Sequence, residues 1–370
     1  MTNALTKVFK KSDAPARKKM SRKERKQKAQ EVAGISFWVD LRKGRLSRYA
    51  IQKKIRGFIT LLFRYLILGC LSFIILSSLW SLVKDAITDP NVLSDKSSVW
   101  VPSQISSIFL EMAWSKNLMN YLPSLLYTLG TTLVLTILQI LSAGLAAYTF
   151  ARLKFRGSGL LFGLVIFTII VPSDCIMLAQ YGTFRNFDLF GIIAAVRGSG
   201  INLIGNPAAL YLLAASGMGI KSGIYIYFLR QSIKGLPIAI EEAAFVDGAG
   251  FLRTFFSIVV PSMSGSILTV GVLSFLWNYT DTYYVSLLNP TTSNLAYNYS
   301  TLQSNIRWGI DAAAKTNSEW LNMIDASNPY IQNSTISACA VLVVAPLIIM
   351  YCFVQKRFVQ GAARSGLGGD

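Results

Sequence analysis

One stretch of the chain combines paired carboxylates, paired alanines and a turn at a spacing suited to protein docking. It reads Glu241-Glu242-Ala243-Ala244-Phe245-Val246-Asp247-Gly248-Ala249-Gly250-Phe251 and continues to Ser257-Ile258-Val259-Val260-Pro261. The pair Asp247-Gly248 favours a turn, because glycine adopts a positive φ at low cost. The pattern therefore predicts a short helix, a turn at Gly248 and a second helix. Paired alanines allow close approach, so the first helix suits insertion into a groove of another protein.

The composition argues against catalysis by this chain. It contains no histidine, and so it lacks the commonest general base and metal ligand. No arrangement of a nucleophile with a base is recognisable either. We therefore expect a non-catalytic protein without a metal site.

The elements that position the docking stretch are predicted to lie in a membrane. Only 15% of the 370 residues are charged and 52% are hydrophobic, with a mean hydropathy of +0.45. A bilayer core of about 30 Å needs about 20 apolar helical residues. About six segments approach that length, near residues 57–83, 122–150, 159–180, 208–229, 264–288 and 336–354. The expected fold is an all-α integral membrane protein with a cytoplasmic helix-turn-helix, because helices satisfy their own backbone groups in lipid.

Basic residues set the expected orientation and domain boundaries. Half of the 36 Lys and Arg residues precede Gly57, and the short loops on that side are the denser in charge. The positive-inside rule therefore places both termini in the cytoplasm. The expected regions are a basic, disordered cytoplasmic leader (1–56), a first transmembrane helix with an external segment (57–121), a membrane core with five further helices (122–354) and a cytoplasmic tail (355–370).

The leader has two interpretations. It is either a solvated tail whose charge sets the topology, or a basic segment that also binds anionic lipid. A nucleic-acid partner is not expected, because no recognised fold or interleaved aromatic residues accompany the charge.

The docking stretch resembles the EAA signature of importer-type ABC-transporter permeases. The shared pattern is Glu242-Ala243-Ala244, then Gly248, Ile258 and Pro261, with Val260 where the signature has leucine. Other segments resemble the second permease subunit of maltose-type importers: Ala146-Ala147-Tyr148-Thr149-Phe150-Ala151-Arg152-Leu153-Lys154-Phe155-Arg156-Gly157, Phe228-Leu229-Arg230-Gln231, Trp277-Asn278 and Gln355-Lys356-Arg357-Phe358-Val359-Gln360-Gly361. The resemblance extends over roughly residues 122–366.

The resemblance implies one subunit of an ATP-driven importer in a bacterial or archaeal cell membrane. Its partners would be a second permease subunit, a cytoplasmic ATPase dimer and an external solute-binding protein, and its substrate a sugar, including oligosaccharides. The chain has no GxxxxGK[ST] phosphate loop, so ATP and Mg would be bound by the ATPase and no cofactor by this chain.

The resemblance also assigns roles to the docking stretch. Glu242 would make a polar contact with the ATPase, Ala243 and Ala244 would pack closely, and Gly248 would form the turn. Glu241 and Asp247 belong to the same coupling stretch. A simpler interpretation is that Glu241 and Glu242 only complement the helix dipole, and both interpretations can hold together.

Trp277, Asn278 and Asp281 form a polar and aromatic cluster in or beside the fifth predicted helix. Aromatic faces stack on sugar rings, while amides and carboxylates bind hydroxyl groups, so these residues are candidates for a substrate path. The alternative is that the aromatic ring marks the membrane interface and Asp281 caps or pairs locally.

Two other functions remain open at the level of sequence. The EAA signature would also fit an ABC-importer permease for a solute other than sugar. A stand-alone secondary transporter is the further alternative, although such proteins usually carry intramembrane ionisable groups for a coupling ion. Asp174 and Asp281 are the acidic residues of the predicted spans.

Overall fold

A computed structural model describes residues 48–94, 100–291 and 293–367, which form helices and no strand. The predicted leader up to residue 47 lies outside the described residues, as do residues 368–370 of the tail. The chain divides into two compact units, and the second begins at Ser78. Of the first unit, residues 48–77 are described, and all of them are helical. The second unit contains every site discussed below.

The helices are numbered α1 to α16 in chain order. Three are long: α1 (Arg48–Ile87), α3 (Tyr121–Arg152) and α16 (Pro329–Leu367). The shorter helices of the first half are α2 (Ile108–Trp114), α4 (Ser158–Ile170), α5 (Ser173–Arg185), α6 (Ile192–Arg197), α7 (Ala208–Ala215) and α8 (Ser222–Lys234). Those of the second half are α9 (Ile238–Val246), α10 (Phe251–Ser262), α11 (Ser264–Tyr279), α12 (Tyr283–Leu288), α13 (Leu295–Ser304), α14 (Ile306–Ala314) and α15 (Ser318–Met323).

Several of these helices are long and apolar enough to cross a membrane, so the chain is a multi-pass membrane protein. Three of the described helices qualify alone: Ile55–Ile87, Tyr121–Arg152 and Pro329–Lys356. Two more spans result if each bent helix pair counts as one. The first pair joins Ser158–Ile170 to Cys175–Arg185 at 104°, and the second joins Phe251–Ser262 to Ser264–Tyr279 at 85°.

Three predicted spans are interrupted in the structure. The third, predicted at 159–180, is split into α4 and α5, which are joined at a bend of 104°. The fourth, predicted at 208–229, is split into α7 and α8, because the backbone turns left-handed at Gly217 (φ 76°) and Lys221 (φ 58°). The fifth, predicted at 264–288, ends at Tyr279. The chain turns there, and Oδ1 of Asp281 accepts hydrogen bonds from the backbone N–H groups of Tyr283 and Tyr284.

The helices also run past two expected boundaries. The first begins at Arg48, before the expected start at residue 57, and the last continues to Leu367 through the predicted tail.

Helix α3 is the centre of the fold. It packs against α7, α8 and α11, and α11 also packs against α16. At the carboxyl end of α3, Ala147 and Tyr148 are buried against Tyr225 of α8 and Phe255 of α10. Small residues and aromatic rings therefore hold the end of α3 against the two helices on either side of the docking stretch.

Candidate functional site

The docking stretch forms a short helix that ends in a glycine turn. Helix α9 begins after Pro237, whose lack of an N–H group costs nothing at a helix start. At the other end, Gly248 adopts φ +80°. Its N–H donates to the Phe245 carbonyl at 3.1 Å, and the N–H of Ala249 donates to the Ala244 carbonyl at 2.9 Å. This is a Schellman cap, which satisfies the last carbonyl groups of the helix and reverses the chain into α10.

Glu241 anchors the docking stretch to the carboxyl end of α3. The residue is 3% exposed, and its Oε1 lies 2.8 Å from Nε and 2.7 Å from Nη2 of Arg152. The hydroxyl of Tyr148 donates to Oε2 at 3.1 Å, and Nη2 of Arg152 also donates to the Leu236 carbonyl at 2.9 Å. A buried carboxylate with three polar contacts holds α9 rigidly on the end of α3.

The other face of α9 is open. Glu242 and Ala243 are exposed, and so are the apolar side chains of Phe245 and Val246, which are 46% and 87% exposed. Ala244 is buried within the chain, whereas Asp247 and Gly248 are exposed at the turn. The candidate residues thus divide into an inner pair, Glu241 and Ala244, and an outer set that is available to another molecule.

The partners of Glu241 were not singled out at the sequence level. Tyr148 and Arg152 lie within the segment that resembles other permeases, but that resemblance assigned them no contact. Arg152 lies 89 residues from Glu241 along the chain. In the sequence, Arg152 is a basic residue that follows the second predicted span. The positive-inside rule accounts for a basic residue at that position, so nothing pointed to an ion pair with Glu241.

Beyond the turn, α10 contains a π-helical turn, and a bend of 85° follows between α10 and α11. Residues Phe255–Val259 form a π-helical turn, and Pro261 follows within the same helix. Proline cannot donate the backbone hydrogen bond that an α-helix requires, so the series of helical hydrogen bonds is interrupted before α11. The docking stretch is therefore connected to α11 through a bent element.

The three residues of the candidate substrate path lie in different surroundings. Asn278 is 6% exposed and points toward α3, whereas the Trp277 ring is 48% exposed. The Nζ of Lys221 lies 5.0 Å from the centre of the Trp277 ring, within the range of a cation–π contact. Asp281 caps α12, as one of the two interpretations expected. It also lines one open pocket together with Trp277 and Lys221.

A buried polar network connects α3 with α11 and with the break between α7 and α8. The amide of Gln139, which has no exposed surface, donates from Nε2 to the Ile220 carbonyl at 3.1 Å. Its Oε1 accepts hydrogen bonds from Ser274 and from Nδ2 of Asn278, the latter at 2.9 Å. Ser142 donates to the Ala214 carbonyl at 2.7 Å. The Gln139 side chain therefore satisfies the Ile220 carbonyl at the helix break, and Ser142 gives the Ala214 carbonyl a second hydrogen bond beside the one from the Gly217 N–H.

Gln139 was also not singled out from the sequence. A polar residue at the middle of a long apolar helix is itself a signal, because such residues are costly in lipid and usually face the protein interior.

No family model matches the chain. Several curated proteins are similar to it in sequence. The arabinooligosaccharides transport system permease protein AraQ of Halalkalibacterium halodurans is 24% identical over 64% of this chain and 71% of its own length. The melibiose/raffinose/stachyose import permease protein MelC of Bacillus subtilis is 25% identical over 74% of this chain and 86% of its own length. The maltodextrin transport system permease protein MdxG, also of Bacillus subtilis, is 26% identical over 82% of this chain and 95% of its own length.

A solved structure has the same fold. It is a bacterial ABC transporter involved in the import of the acidic polysaccharide alginate. One of its chains matches with a TM-score of 0.59 and 17% identity, over 85% of this chain and 99% of that one. The resemblance expected from the EAA signature is confirmed: the chain is similar in sequence to permease proteins of carbohydrate ABC transporters and has the fold of an ABC-importer permease.

Proposed function

We propose that the chain is a transmembrane permease subunit of an ATP-driven sugar importer, including importers of oligosaccharides. It forms part of the translocation path and transmits the closure of a separate ATPase through the docking stretch. The observation that carries this proposal is the two-sided arrangement of α9. Glu241 attaches the helix to α3 and Ala244 is buried within the chain, while Glu242, Ala243, Phe245 and Val246 present an open surface.

Motion of α9 can be transmitted to the membrane helices only if α9 is rigidly attached to one of them. If the ATPase moves α9, the ion pair between Glu241 and Arg152 makes α3 move with it, because no flexible loop lies between the two contacting side chains. Helix α3 contacts α7, α8 and α11, so a shift of α3 reaches the break between α7 and α8 and the helix that follows the bend after α10. ATP would shift the equilibrium between inward-open and outward-open states by binding the ATPase more tightly in one of them.

The proposal includes an assembly and a topology. The chain would cross the membrane about six times, with α7 and α8 together as the broken fourth span and both termini in the cytoplasm. Its partners would be a second permease subunit, a pair of ATPases that bind ATP and Mg, and an external solute-binding protein. The surrounding lipid would be that of a bacterial or archaeal cell membrane. This subunit would bind no cofactor and catalyse no reaction itself.

The sugar class is supported by the similarity to permeases for arabinooligosaccharides, for melibiose, raffinose and stachyose, and for maltodextrin, and by the pocket at Trp277. An exposed indole face beside Asp281 and Tyr283 suits a sugar ring, because aromatic faces stack on rings and oxygen atoms bind hydroxyl groups. Permeases for other solutes remain the alternative within the same class, and substrate-stimulated ATP hydrolysis by the assembled complex distinguishes them.

The first experiment is a site-specific crosslink in membranes of the host. The four native cysteines are replaced first, because Cys70, Cys175 and Cys352 are exposed. A photoreactive thiol reagent is then attached to Ala243→Cys, which lies on the open face of α9. The matched control is Ala244→Cys, one residue away but only 6% exposed.

Capture of an ATPase with a phosphate-binding loop from Ala243→Cys, and not from Ala244→Cys, is the expected result. If Ala243→Cys reacts with water-soluble thiol reagents but captures no ATPase, the coupling role is wrong. A stand-alone transporter then becomes the leading hypothesis.

A further inference from the structure

A short hairpin, residues 187–201, lies between α5 and α7 and contains α6. The N–H of Phe187 donates to the Ile201 carbonyl, and the N–H of Ile201 donates to the Phe187 carbonyl, each at 2.9 Å. Oδ1 of Asp188 accepts hydrogen bonds from two backbone N–H groups in the first turn of α6. The paired base and the satisfied helix start give this segment, here called the apolar hairpin, a defined shape.

The apolar hairpin presents large apolar side chains to its surroundings. At its tip Phe190 is 95% exposed, and the neighbouring Leu189 is exposed as well. Ile192 and Val196 are also exposed, Val196 to 81%. They lie four residues apart and therefore on the same face of α6. Exposed apolar surface of this kind marks a contact with a membrane or with another protein.

The backbone at the tip adopts a conformation that is costly for an aromatic residue. Phe190 has φ 53° and Gly191 has φ 83°, both in the left-handed region. Glycine adopts this conformation at little cost, whereas a bulky residue rarely does. Strained residues persist only where the surrounding structure holds them, and they are concentrated at functional sites. A ring that is both strained and almost fully exposed points to a partner outside this chain.

Two arginines flank the exposed tip. Arg185 ends α5 and Arg197 ends α6, and both are exposed. Neither forms an ion pair with a carboxylate whose side chain the structure describes. In the predicted topology the hairpin lies on the outer side, where the positive-inside rule does not account for basic residues. Each arginine complements the dipole of its helix, and its planar head group remains available to an anion.

The combination of groups favours lipid as the partner. The hairpin directly follows α5, which belongs to a bent helix pair long and apolar enough to cross a membrane, and Leu178 of α5 is 79% exposed. Exposed apolar residues therefore continue from a membrane helix into the hairpin. A phospholipid supplies both contacts in one molecule, an acyl chain for the tip and a phosphate for a guanidinium group. Apolar residues beside basic ones are typical of segments that lie in the membrane interface.

We infer that the apolar hairpin is a membrane anchor. Its exposed apolar side chains insert among the acyl chains of the outer leaflet, and the two flanking arginines bind phosphate groups of phospholipids. The anchor fixes the depth of the ends of α5 and α7 that the hairpin joins. This inference goes beyond the proposed function, because it requires only that the chain is a multi-pass membrane protein.

The test locates the apolar hairpin relative to the bilayer by electron paramagnetic resonance. A nitroxide is attached to Val196→Cys in a chain whose native cysteines have been replaced. The complex purified from host membranes is then placed in vesicles of phosphatidylcholine and phosphatidylglycerol. Oxygen collides with a label in the acyl region, and a water-soluble nickel chelate collides with a label in water. We expect the label about 5–10 Å beyond the boundary between head groups and acyl chains.

Ser199→Cys is the matched control for position. Ser199 is exposed in the same hairpin but lies beyond Arg197, toward the base. Its label should collide mainly with the nickel chelate. Ile192→Cys replaces Val196→Cys if the latter is not inserted, since both side chains lie on the same face of α6.

The arginines are tested by the double variant Arg185→Gln/Arg197→Gln, with the label at Val196→Cys. One basic residue near an anionic surface favours the bound state by about fivefold. The double variant should therefore show a second population of the label, which the nickel chelate reaches. Arg307→Gln is the control, because Arg307 is also exposed but lies outside the hairpin. It should leave the label at the wild-type depth.

The inference is overturned by any of the following results. Equal access of the chelate to Val196→Cys and Ser199→Cys would show that the tip lies in water. A label at Val196→Cys shielded from both oxygen and the chelate would show that another protein, such as the second permease subunit, covers this face. A single unchanged depth in the arginine double variant would show that lipid phosphates are not bound. None of these measurements requires transport, so they are distinct from a failure of the proposed function in the crosslink from Ala243→Cys.

Discussion

Arg152 and Glu241 join the last turn of α3 to the first turn of α9 through a two-atom contact, with Nε and Nη2 lying 2.8 and 2.7 Å from the same carboxylate oxygen. Their side chains are 13% and 5% exposed, so the pair is shielded from water. The carboxylate nearest the start of the docking stretch is thus an internal anchor, and the next one, Glu242, is exposed.

Removing one member of this pair should destabilise the protein strongly. In Arg152→Met the Glu241 carboxylate remains buried without its partner, and such changes typically cost about 3–5 kcal/mol. We expect a corresponding decrease in the free energy of unfolding in detergent, together with loss of ATP-driven uptake. The double variant Arg152→Met/Glu241→Leu should recover much of the stability, since both charges are then absent. A double variant no more stable than Arg152→Met would contradict this account of the pair.

Gly248 should be sensitive to a methyl group for conformational reasons alone. Its φ is +80°, and an added Cβ would meet nothing within 4 Å. Gly248→Ala should therefore cost about 1–2 kcal/mol from the left-handed backbone, and Gly248→Pro should abolish transport while the protein still inserts. The matched control is Gly250→Ala, because Gly250 has φ −74° and equally open space. Equal unfolding free energies for the two alanine variants would show that the turn does not depend on this conformation.

Glu242→Lys should uncouple the transporter without unfolding it. Glu242 is exposed and makes no hydrogen bond or ion pair with the described residues, so its replacement should change stability by less than about 0.5 kcal/mol. Reversal of the charge on the open face of α9 should abolish ATP-driven uptake, whereas Glu242→Gln should reduce it only partly. The measurement pairs uptake with the amount of protein in the membrane. Normal uptake with Glu242→Lys would contradict the docking role.

Gly219, in the break between α7 and α8, should not accommodate a side chain. A Cβ at Gly219 would overlap with Nε2 of Gln139 and press on the Cα of Ala214 at 3.2 Å. Gly219→Ala should destabilise the protein by about 1–3 kcal/mol, because the amide must move and release the Ile220 carbonyl. Gly130→Ala in α3 is the control, since nothing lies within 4 Å there and alanine favours a helix by up to about 1 kcal/mol. Thermal unfolding in detergent should separate the two variants clearly.

The amino-acid sequence alone was sufficient for the properties that depend on neighbouring residues. Long apolar runs predicted α1, α3 and α16, because a helix in lipid must satisfy its own backbone groups. The alanine pair followed by Asp247-Gly248 predicted a short helix and a turn, and α9 with its glycine cap has that form. Helix starts and glycine turns are set by chemistry within a few residues, so they can be predicted locally.

Tertiary structure decided which side chains meet. Adjacent glutamates cannot be distinguished by hydropathy, yet one is buried against α3 and the other is exposed, because successive residues point in different directions around a helix. The partners of Glu241, at Tyr148 and Arg152, approach it only when α3 packs beside α9. The broken fourth span depends in the same way on Gln139, whose amide binds a carbonyl group 81 residues away along the chain. Contacts of this kind depend on how helices pack, and a local pattern of residue types carries no information about that packing.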